Sequence, residues 1–256
     1  VTGAREMIGG LVGNNQGALS LSYATGNVSG ARSIGGLVGL NGGSINDAYA
    51  SGAVGRAGTA DPILAWENMG GLVGESTGSV SHVFSSGAVT GDGYASVGAV
   101  AGRVSAGSPF SYGFFNFETS LVQTDGGGSS GRSTAQMRQQ GSFNDYDWSS
   151  VWRIYDGYTT PKMKAFLKPL QVNLSGNATG KVYDGQLAAF LGSIAYVGLI
   201  DGDTGVNGSL GYGSSARNVG SYGAGTFTHT IWYSPELRNA VAQEVRSHWN
   251  GQQDTN

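Results

Sequence analysis

The chain has 256 residues, enough for two or three small domains, with a formal net charge of −3 and 12% charged residues. This balance argues against a nucleic-acid partner, which requires a basic stripe. The sequence has no cysteine, which excludes disulfide scaffolds and cysteine-ligated metals, and no run approaches the roughly 18 apolar residues of a membrane-spanning helix.

A six-residue block recurs through the first part of the chain. It reads Ile-Gly-Gly-Leu-Val-Gly at Ile8–Gly13 and Ile34–Gly39, Met-Gly-Gly-Leu-Val-Gly at Met69–Gly74, and Val-Gly-Ala-Val-Ala-Gly at Val97–Gly102. We call each block, with the residues that follow it, copies one to four. Repetition at this scale is typical of stacked modules, and frequent glycine disfavours helices and favours short strands between turns. The pattern therefore predicts a short parallel β-helix (β-solenoid).

Matched positions in the copies predict columns of side chains inside that β-helix. Glycines at the corners are expected to adopt left-handed backbone angles. The pattern stops after Tyr112, which predicts a solenoid domain at residues 1–112. It begins in mid-repeat, because Val1-Thr2-Gly3 is similar to the end of a copy, and this suggests a fragment of a longer protein. The predicted columns are Ile8, Ile34, Met69 and Val97; Leu11, Leu37, Leu72 and Val100; and the aromatic Tyr23, Tyr49, Phe84 and Tyr112.

Residues 113–167 are predicted to form an aromatic-rich capping segment. A short helix with a serine or threonine N-cap is expected over Ser133–Gln140. The aromatic side chains that follow would plug the open apolar end of the repeats, as terminal units of solenoids must. The alternative is a sugar-binding platform of exposed rings. These side chains are Phe143, Tyr146, Trp148, Trp152, Tyr155 and Tyr158.

Residues 168–232 alternate as strands do and predict a small immunoglobulin-like β-sandwich. Asp201-Gly202-Asp203 could bind Ca²⁺ through carboxylate oxygens, although a turn between strands explains it more simply.

Residues 233–256 are predicted to be a helical C-terminal tail. Ser234 and Pro235 suit a helix start, and Leu237, Val241 and Val245 form an apolar stripe. The simplest expectation is that the helix docks on a domain; the alternatives are a partner-binding helix or a non-native tail.

The first half of the chain offers one pair of residues with catalytic potential. Parallel β-helices also carry polysaccharide lyases and hydrolases, whose sites need grouped carboxylates and a basic residue. Asp47 and His82 occupy equivalent positions in copies two and three, but Leu21 holds that position in copy one. Two polar residues on a solvated face explain the pair better. We therefore expect no catalytic residues, no metal and no cofactor.

Several motifs resemble those of large bacterial exoproteins. The repeated block resembles the GLUG repeat, and Phe115–Ser120, Ser133–Met137 and Trp152–Ile154 look like the segment that follows such repeats. Lys181-Val-Tyr-Asp-Gly185 and Asn218-Val-Gly-Ser-Tyr222 look like the YDG module, an immunoglobulin-like domain type. In this order the motifs resemble filamentous-haemagglutinin-like adhesins exported by two-partner secretion. The departure from that pattern is the helical tail, where a further strand would be expected.

The resemblance implies a secreted or outer-surface location and a non-catalytic role in cell adhesion, aggregation or biofilm matrix. The chain would act as a stalk that presents a ligand site to a glycan or protein of a host surface or matrix, joined to the rest of the same exoprotein. A carbohydrate-active β-helix enzyme, a polysaccharide lyase or hydrolase, is the alternative. The candidate ligand-binding residues are Arg56 and Trp66 in the loop between copies two and three, and Trp148 and Trp152.

Overall fold

The computed structural model describes residues 1–3, 6–57, 67–91, 95–176, 179–181, 192–199, 220–222 and 227–244. It is mostly β, with parallel sheets in its first part and one short helix near its C-terminal end. The chain divides into two compact units, Val1–Trp152 and Arg153–Asn256. Among the described residues, no helix is both long and apolar enough to cross a membrane.

Each copy of the block contributes equivalent strands to the first unit. Copy one has β1 (Glu6–Gly9), β2 (Val12–Asn15), β3 (Ala18–Ala24) and β4 (Val28–Gly30). Copy two has β5 (Arg32–Gly35), β6 (Val38–Asn41), β7 (Ser44–Ala50) and β8 (Val54–Arg56). Copy three has β9 (Glu67–Gly70), β10 (Val73–Ser76), β11 (Ser79–Ser85) and β12 (Val89–Thr90). Copy four has β13 (Ala95–Gly98), β14 (Ala101–Val104) and β15 (Phe110–Asn116), and β16 (Ser130–Arg132) follows it.

Consecutive strands of one copy go to different sheets, and each pairs in parallel with its equivalent in the next copy. The described strands give the sheet orders β1-β5-β9-β13, β14-β10-β6-β2, β16-β15-β11-β7-β3 and β12-β8-β4. Ile34 is the partner of both Ile8 and Met69, and Met69 of Val97, so the first predicted column is confirmed. The apolar core lies between these sheets.

The second predicted column is confirmed in three of its four positions. Leu37, Leu72 and Val100 are all fully buried, whereas Leu11 is 51% exposed. Leu11 belongs to the first copy, and no described copy packs on its other side. The prediction of a buried Leu11 was therefore wrong.

The glycines of the repeated block are required because backbone from the same copy and the next copy lies too close for a side chain. They do not adopt left-handed backbone angles. A Cβ on Gly35 would lie 1.9 Å from the carbonyl oxygen of Val38 and 2.7 Å from that of Leu72, so any side chain there would collide with backbone. The described residues with a positive φ in the strands of the copies are not glycines. They are Met7, Leu21, Ser33, Asp47, His82 and Tyr112. The predicted use of glycine at the corners is thus corrected.

A buried polar ladder joins three copies at the turn after the second strand. Asn15 Nδ2 donates to Asn41 Oδ1 (2.8 Å), and Asn41 Nδ2 donates to Ser76 Oγ (3.0 Å). The same amides also reach the backbone carbonyls of Ser44 and Ser79. Buried polar groups are stable when they are bonded in this way, so the ladder fixes both the turn and the register between copies.

The pattern of the copies continues beyond Tyr112, where the sequence predicted it to stop. Strand β16 pairs in parallel with β15, and the carbonyls of Ser120 and Thr124 accept hydrogen bonds from the N–H groups of Val89 and Ala99. Two 3₁₀ turns follow at Gln136–Arg138 and Gln140–Ser142, in place of the predicted longer helix. Ser133 and Gln136 are reciprocally bonded, but the N-cap of the first turn is Ala135, which makes no side-chain cap bond, so the predicted serine or threonine N-cap was wrong.

The second unit contains antiparallel strands and the C-terminal helix. Its elements begin with β17 (Trp152–Arg153), β18 (Lys162–Met163) and a 3₁₀ turn at Lys164–Phe166. Next come β19 (Lys168–Gly176), β20 (Thr179–Lys181), β21 (Gly192–Val197), β22 (Gly220–Tyr222) and β23 (Phe227–Tyr233). The sheet orders are β21-β19-β23 and β20-β22. A 3₁₀ turn at Pro235–Leu237 leads into the helix α1 (residues 238–244).

The predicted helix docks on the sheet of its own unit. Leu237 and Val241, two residues of the predicted apolar stripe, are buried against Leu170 and Ile231. Val245, the third, lies outside the described residues, as do Asp201 and Asp203. The docking of the described part of the helix is confirmed.

Candidate ligand-binding surface

One face of the β16-β15-β11-β7-β3 sheet carries a column of stacked aromatic rings. Tyr23 and Tyr49 have ring centroids 5.0 Å apart at an interplanar angle of 8°, and Tyr49 and Phe84 are 4.9 Å apart at 5°. The strand partner of Phe84 is Phe114. Phe114, and not the predicted Tyr112, is therefore the fourth member of the column.

The aromatic column lies on the outer side of its sheet, although the sequence placed it inside. Ala48 and Ala50 belong to the inner apolar core, and side chains alternate along a strand, so Tyr49 points the other way. Residues 143–152 cover it. Trp152 lies 6.4 Å from Tyr49 and 6.0 Å from Phe84 between ring centroids, and Phe143 lies 5.1 Å from Phe114.

The aromatic rings of residues 143–152 that cover the column are mostly buried, so they pack against the sheet and do not form an open binding platform. Phe143 is 2% exposed, Tyr146 is 5% exposed and Trp152 is fully buried. The predicted cap does bury apolar surface, but on the side of the sheet and not at the end of the copies. Trp152 has no ring face open to a ligand, which corrects its selection as a ligand-binding residue.

A second column of side chains runs beside the aromatic one, and its members all have a left-handed backbone angle within their strands. Leu21, Asp47, His82 and Tyr112 occupy equivalent positions and have φ between 47° and 51°. We call these four residues the left-handed column. Asp and His tolerate such angles better than Leu or Tyr, so the geometry is imposed by the fold and costs free energy at Leu21 and Tyr112.

Asp47 and His82 are neighbours in this column, but each is bonded to other residues. Asp47 Oδ1 accepts a hydrogen bond from Trp152 Nε1 at 2.8 Å, and Asn46 Nδ2 donates to Asp47 Oδ2. His82 Nδ1 lies 3.0 Å from Asn46 Oδ1. The His82 ring stacks on Tyr112 with centroids 4.9 Å apart. This arrangement positions the covering segment through Trp152.

Tyr146, one of the predicted capping rings, is buried in an environment that the sequence did not indicate. Its hydroxyl has no hydrogen-bond partner among the described residues, although the ring contacts Phe114, Trp148, Trp152 and His82. Burial raises its pKa well above the usual value, and the Asp47 carboxylate raises it further. The phenol therefore stays neutral near pH 7. A tyrosine within an aromatic run carries no sequence signal for this environment.

The predicted binding residues lie in different parts of the structure. Trp148 is partly exposed and lies 5.9 Å from Tyr146, in the same aromatic cluster as Trp152. Arg56 ends β8 in the β12-β8-β4 sheet. Trp66 and residues 58–65 of the same loop lie outside the described residues. The structure thus brings Trp148 and Trp152 together and places Arg56 elsewhere.

Groups of three or more metal-ligating side chains are absent from the described residues. Comparison of the chain with models of protein families, with curated proteins and with solved structures gives no match.

Proposed function

We propose that the chain is a non-catalytic segment of a secreted bacterial surface protein that acts in cell adhesion, aggregation or biofilm matrix. In this proposal, strands β1–β16 form a short parallel β-helix that serves as a stalk and presents a ligand site. The second unit is an immunoglobulin-like module of the YDG type. The partner is a glycan or protein of a host surface or matrix.

The observation that carries the proposal is the strand-for-strand parallel register between successive copies. Four consecutive strands of each complete copy enter four different sheets, and each pairs with the strand one copy later. Such pairing passes hydrogen bonds continuously from copy to copy, which suits a stiff spacer. The antiparallel orders β21-β19-β23 and β20-β22 support a small β domain after it.

The surface location and the adhesive role are supported by the resemblance of the motifs to filamentous-haemagglutinin-like adhesins. The bonding of Asp47 favours a non-catalytic role, since its carboxylate holds the Trp152 indole in place. An enzyme would need such a carboxylate free to reach substrate.

The proposal is tested with the purified chain on arrays of glycans and of host and matrix proteins, and with beads coated with the chain on cultured cells. We expect binding to at least one array component and attachment of the beads. Trp148→Ala, in the partly exposed ring predicted to bind, should weaken the binding, with the exposed Phe166→Ala of the second unit as the control. Blank arrays with no attachment would contradict the adhesive role. New reducing or unsaturated ends in incubated polysaccharides would contradict the non-catalytic role.

A further inference from the structure

The left-handed column ends at a position that has no side chain. The register of β15 with β16 pairs Phe114 with Ser130. A Cβ on Gly113 would lie 2.5 Å from Ser129 Oγ, so the same register continues before β16 and, extended by one more residue, sets Tyr112 opposite Gly128. Gly128 has φ +76°, as the column requires, and a Cβ built on it would have no heavy atom within 4 Å. His82 covers one face of the Tyr112 ring. The place of the next side chain, against the other face, is therefore open.

This open place is a depression of about 160 Å³, lined by Tyr112, Gly128, Ser130, Arg132 and Asn144 among others. Sites for drug-sized ligands measure roughly 300–1,000 Å³, so this one suits a single ring. Its walls are held in place. The Asp125 carboxylate accepts hydrogen bonds from the N–H groups of Gly127 (2.9 Å) and Ser129 (3.0 Å), on either side of Gly128.

Arg132 supplies a fixed positive charge in the lining of the depression. Its Nε donates to the carbonyl of Ser142 (3.1 Å) and Nη1 to that of Gly131 (3.0 Å), and the guanidinium lies 4.9 Å from the centroid of the Phe114 ring. These bonds use two of its five N–H groups, so the others can bind a carboxylate in the forked geometry that arginine favours.

Tyr112 is positioned by the stacking of its ring on His82, with the centroids 4.9 Å apart. Hydrogen bonding to the Asp145 carboxylate and the negative charge of that group raise the pKa of Tyr112. The ring is 42% exposed, which is unusual for a large aromatic side chain with a fixed position. Ser130 and Asn144, which carry a hydroxyl and an amide group, line the same depression.

We propose that this depression binds one sugar ring that bears a carboxylate. The apolar face of the pyranose packs on Tyr112 as the next member of the column, the carboxylate pairs with Arg132, and the sugar hydroxyls meet Ser130 and Asn144. This inference rests on the proposed function and names the ligand class for it. The sugar is an acidic one, a uronic or a sialic acid.

The test fills the open place without touching Arg132 or Tyr112. Asn is the least strained residue other than Gly at a positive φ, so Gly128→Asn should fold and occupy the depression. Gly107→Asn is the matched control, because Gly107 also has a positive φ (+81°) and open space, and does not line the depression. Binding to the full chain is measured by titration NMR with trigalacturonate and with 3′-sialyllactose, against galactotriose and lactose as neutral counterparts.

We expect at least one acidic sugar to bind, with the neutral sugars about tenfold weaker or undetectable. Gly128→Asn and Arg132→Lys should each weaken acidic-sugar binding by about tenfold, and Gly107→Asn should leave it unchanged. The inference is overturned if neither acidic sugar binds, if neutral sugars bind equally well, or if Gly128→Asn binds like the wild type. Array binding to a neutral glycan or a protein in the same preparation would still support the proposed function, so the two failures are distinguishable.

Discussion

The Asp125 side chain accepts the last backbone hydrogen bonds in a series that runs through the copies. In copies one to three, the N–H groups of the Leu-Val pair in the block bond a carbonyl of the next copy: those of Leu37 and Val38, for example, bond Leu72. In copy four, the N–H groups of Val100 and Ala101 bond Asp125 Oδ1 instead, at 2.8 and 2.5 Å. Asp125 thus replaces the carbonyl that a further copy would supply.

At the residue scale, we expect Asp125→Ala to destabilise the first unit by roughly 1–3 kcal/mol per N–H group left buried without a partner, and Asp125→Asn by less, because one amide oxygen remains. Denaturant unfolding measures both. Asp147→Ala is the comparison, because Asp147 bonds exposed local groups of Ser149 and Ser150 and should cost clearly less. Equal losses for Asp125→Ala and Asp147→Ala would show that Asp125 has no special place in the fold.

At the element scale, the sequence predicted the side-chain columns wherever the spacing between strands is constant. The misplaced Tyr112 has a simple cause. The turn at residues 105–109 is two residues longer than its equivalent in copy three, so the register moves from Tyr112 to Phe114. The outward direction of the aromatic column could not be predicted either, because it depends on the positive φ at Asp47 and His82, which shifts the alternation of each strand. The spacing of aromatic residues in the sequence gives no information about the backbone angles between them.

The parallel register between elements can be tested with cysteines, because the chain has none of its own. Ala18 of β3 and Ser44 of β7 are direct partners, so the pair Ala18→Cys and Ser44→Cys should form a disulfide under mild oxidation. Ala18→Cys with Asn46→Cys is the control, two residues out of register, and should cross-link far more slowly. Mass spectrometry of the digested chain identifies the linked peptides. Faster cross-linking in the control pair than in the Ala18→Cys and Ser44→Cys pair would contradict the register.

At the scale of the whole molecule, the open depression could not be read from the sequence. Its two walls, Tyr112 and Arg132, are twenty residues apart and belong to strands whose pairing begins only where the repeated block has faded. The loop that contains Gly128 looks like a plain glycine and serine linker. Only the hydrogen bonds of Asp125 and the pairing of β16 with β15 show that this loop partly continues the repeated strand arrangement. In the described part of the second unit, by contrast, the strands follow from local alternation, and the helix start follows from Ser234 at its N-cap position and Pro235 in its first turn.

The division of the chain into two compact units predicts that a change in one is not felt in the other. In the second unit, Arg153 Nη2 bonds both carboxylate oxygens of Glu244, whose side chain is 14% exposed, and the guanidinium lies 4.6 Å from the centroid of the Tyr155 ring. Glu244→Gln should therefore cost roughly 1.5–3 kcal/mol. Hydrogen exchange should speed up in β19, β23 and α1, while β6 and β10 keep their protection.

Glu75→Gln is the matched control for this prediction. Glu75 pairs with Arg103 at 2.9 Å in the first unit and also accepts a hydrogen bond from Asn68 Nδ2 at 3.0 Å, which the amide oxygen of a glutamine can still accept. Because the arginine side chain is 50% exposed and water screens the ion pair, the loss should stay below about 1 kcal/mol and appear in β10 and β14. Loss of protection in β6 and β10 in the Glu244→Gln variant would mean that the chain unfolds as one cooperative body. Independent responses would mean that each unit unfolds separately, as the proposed role of a presenting segment with a separate module requires.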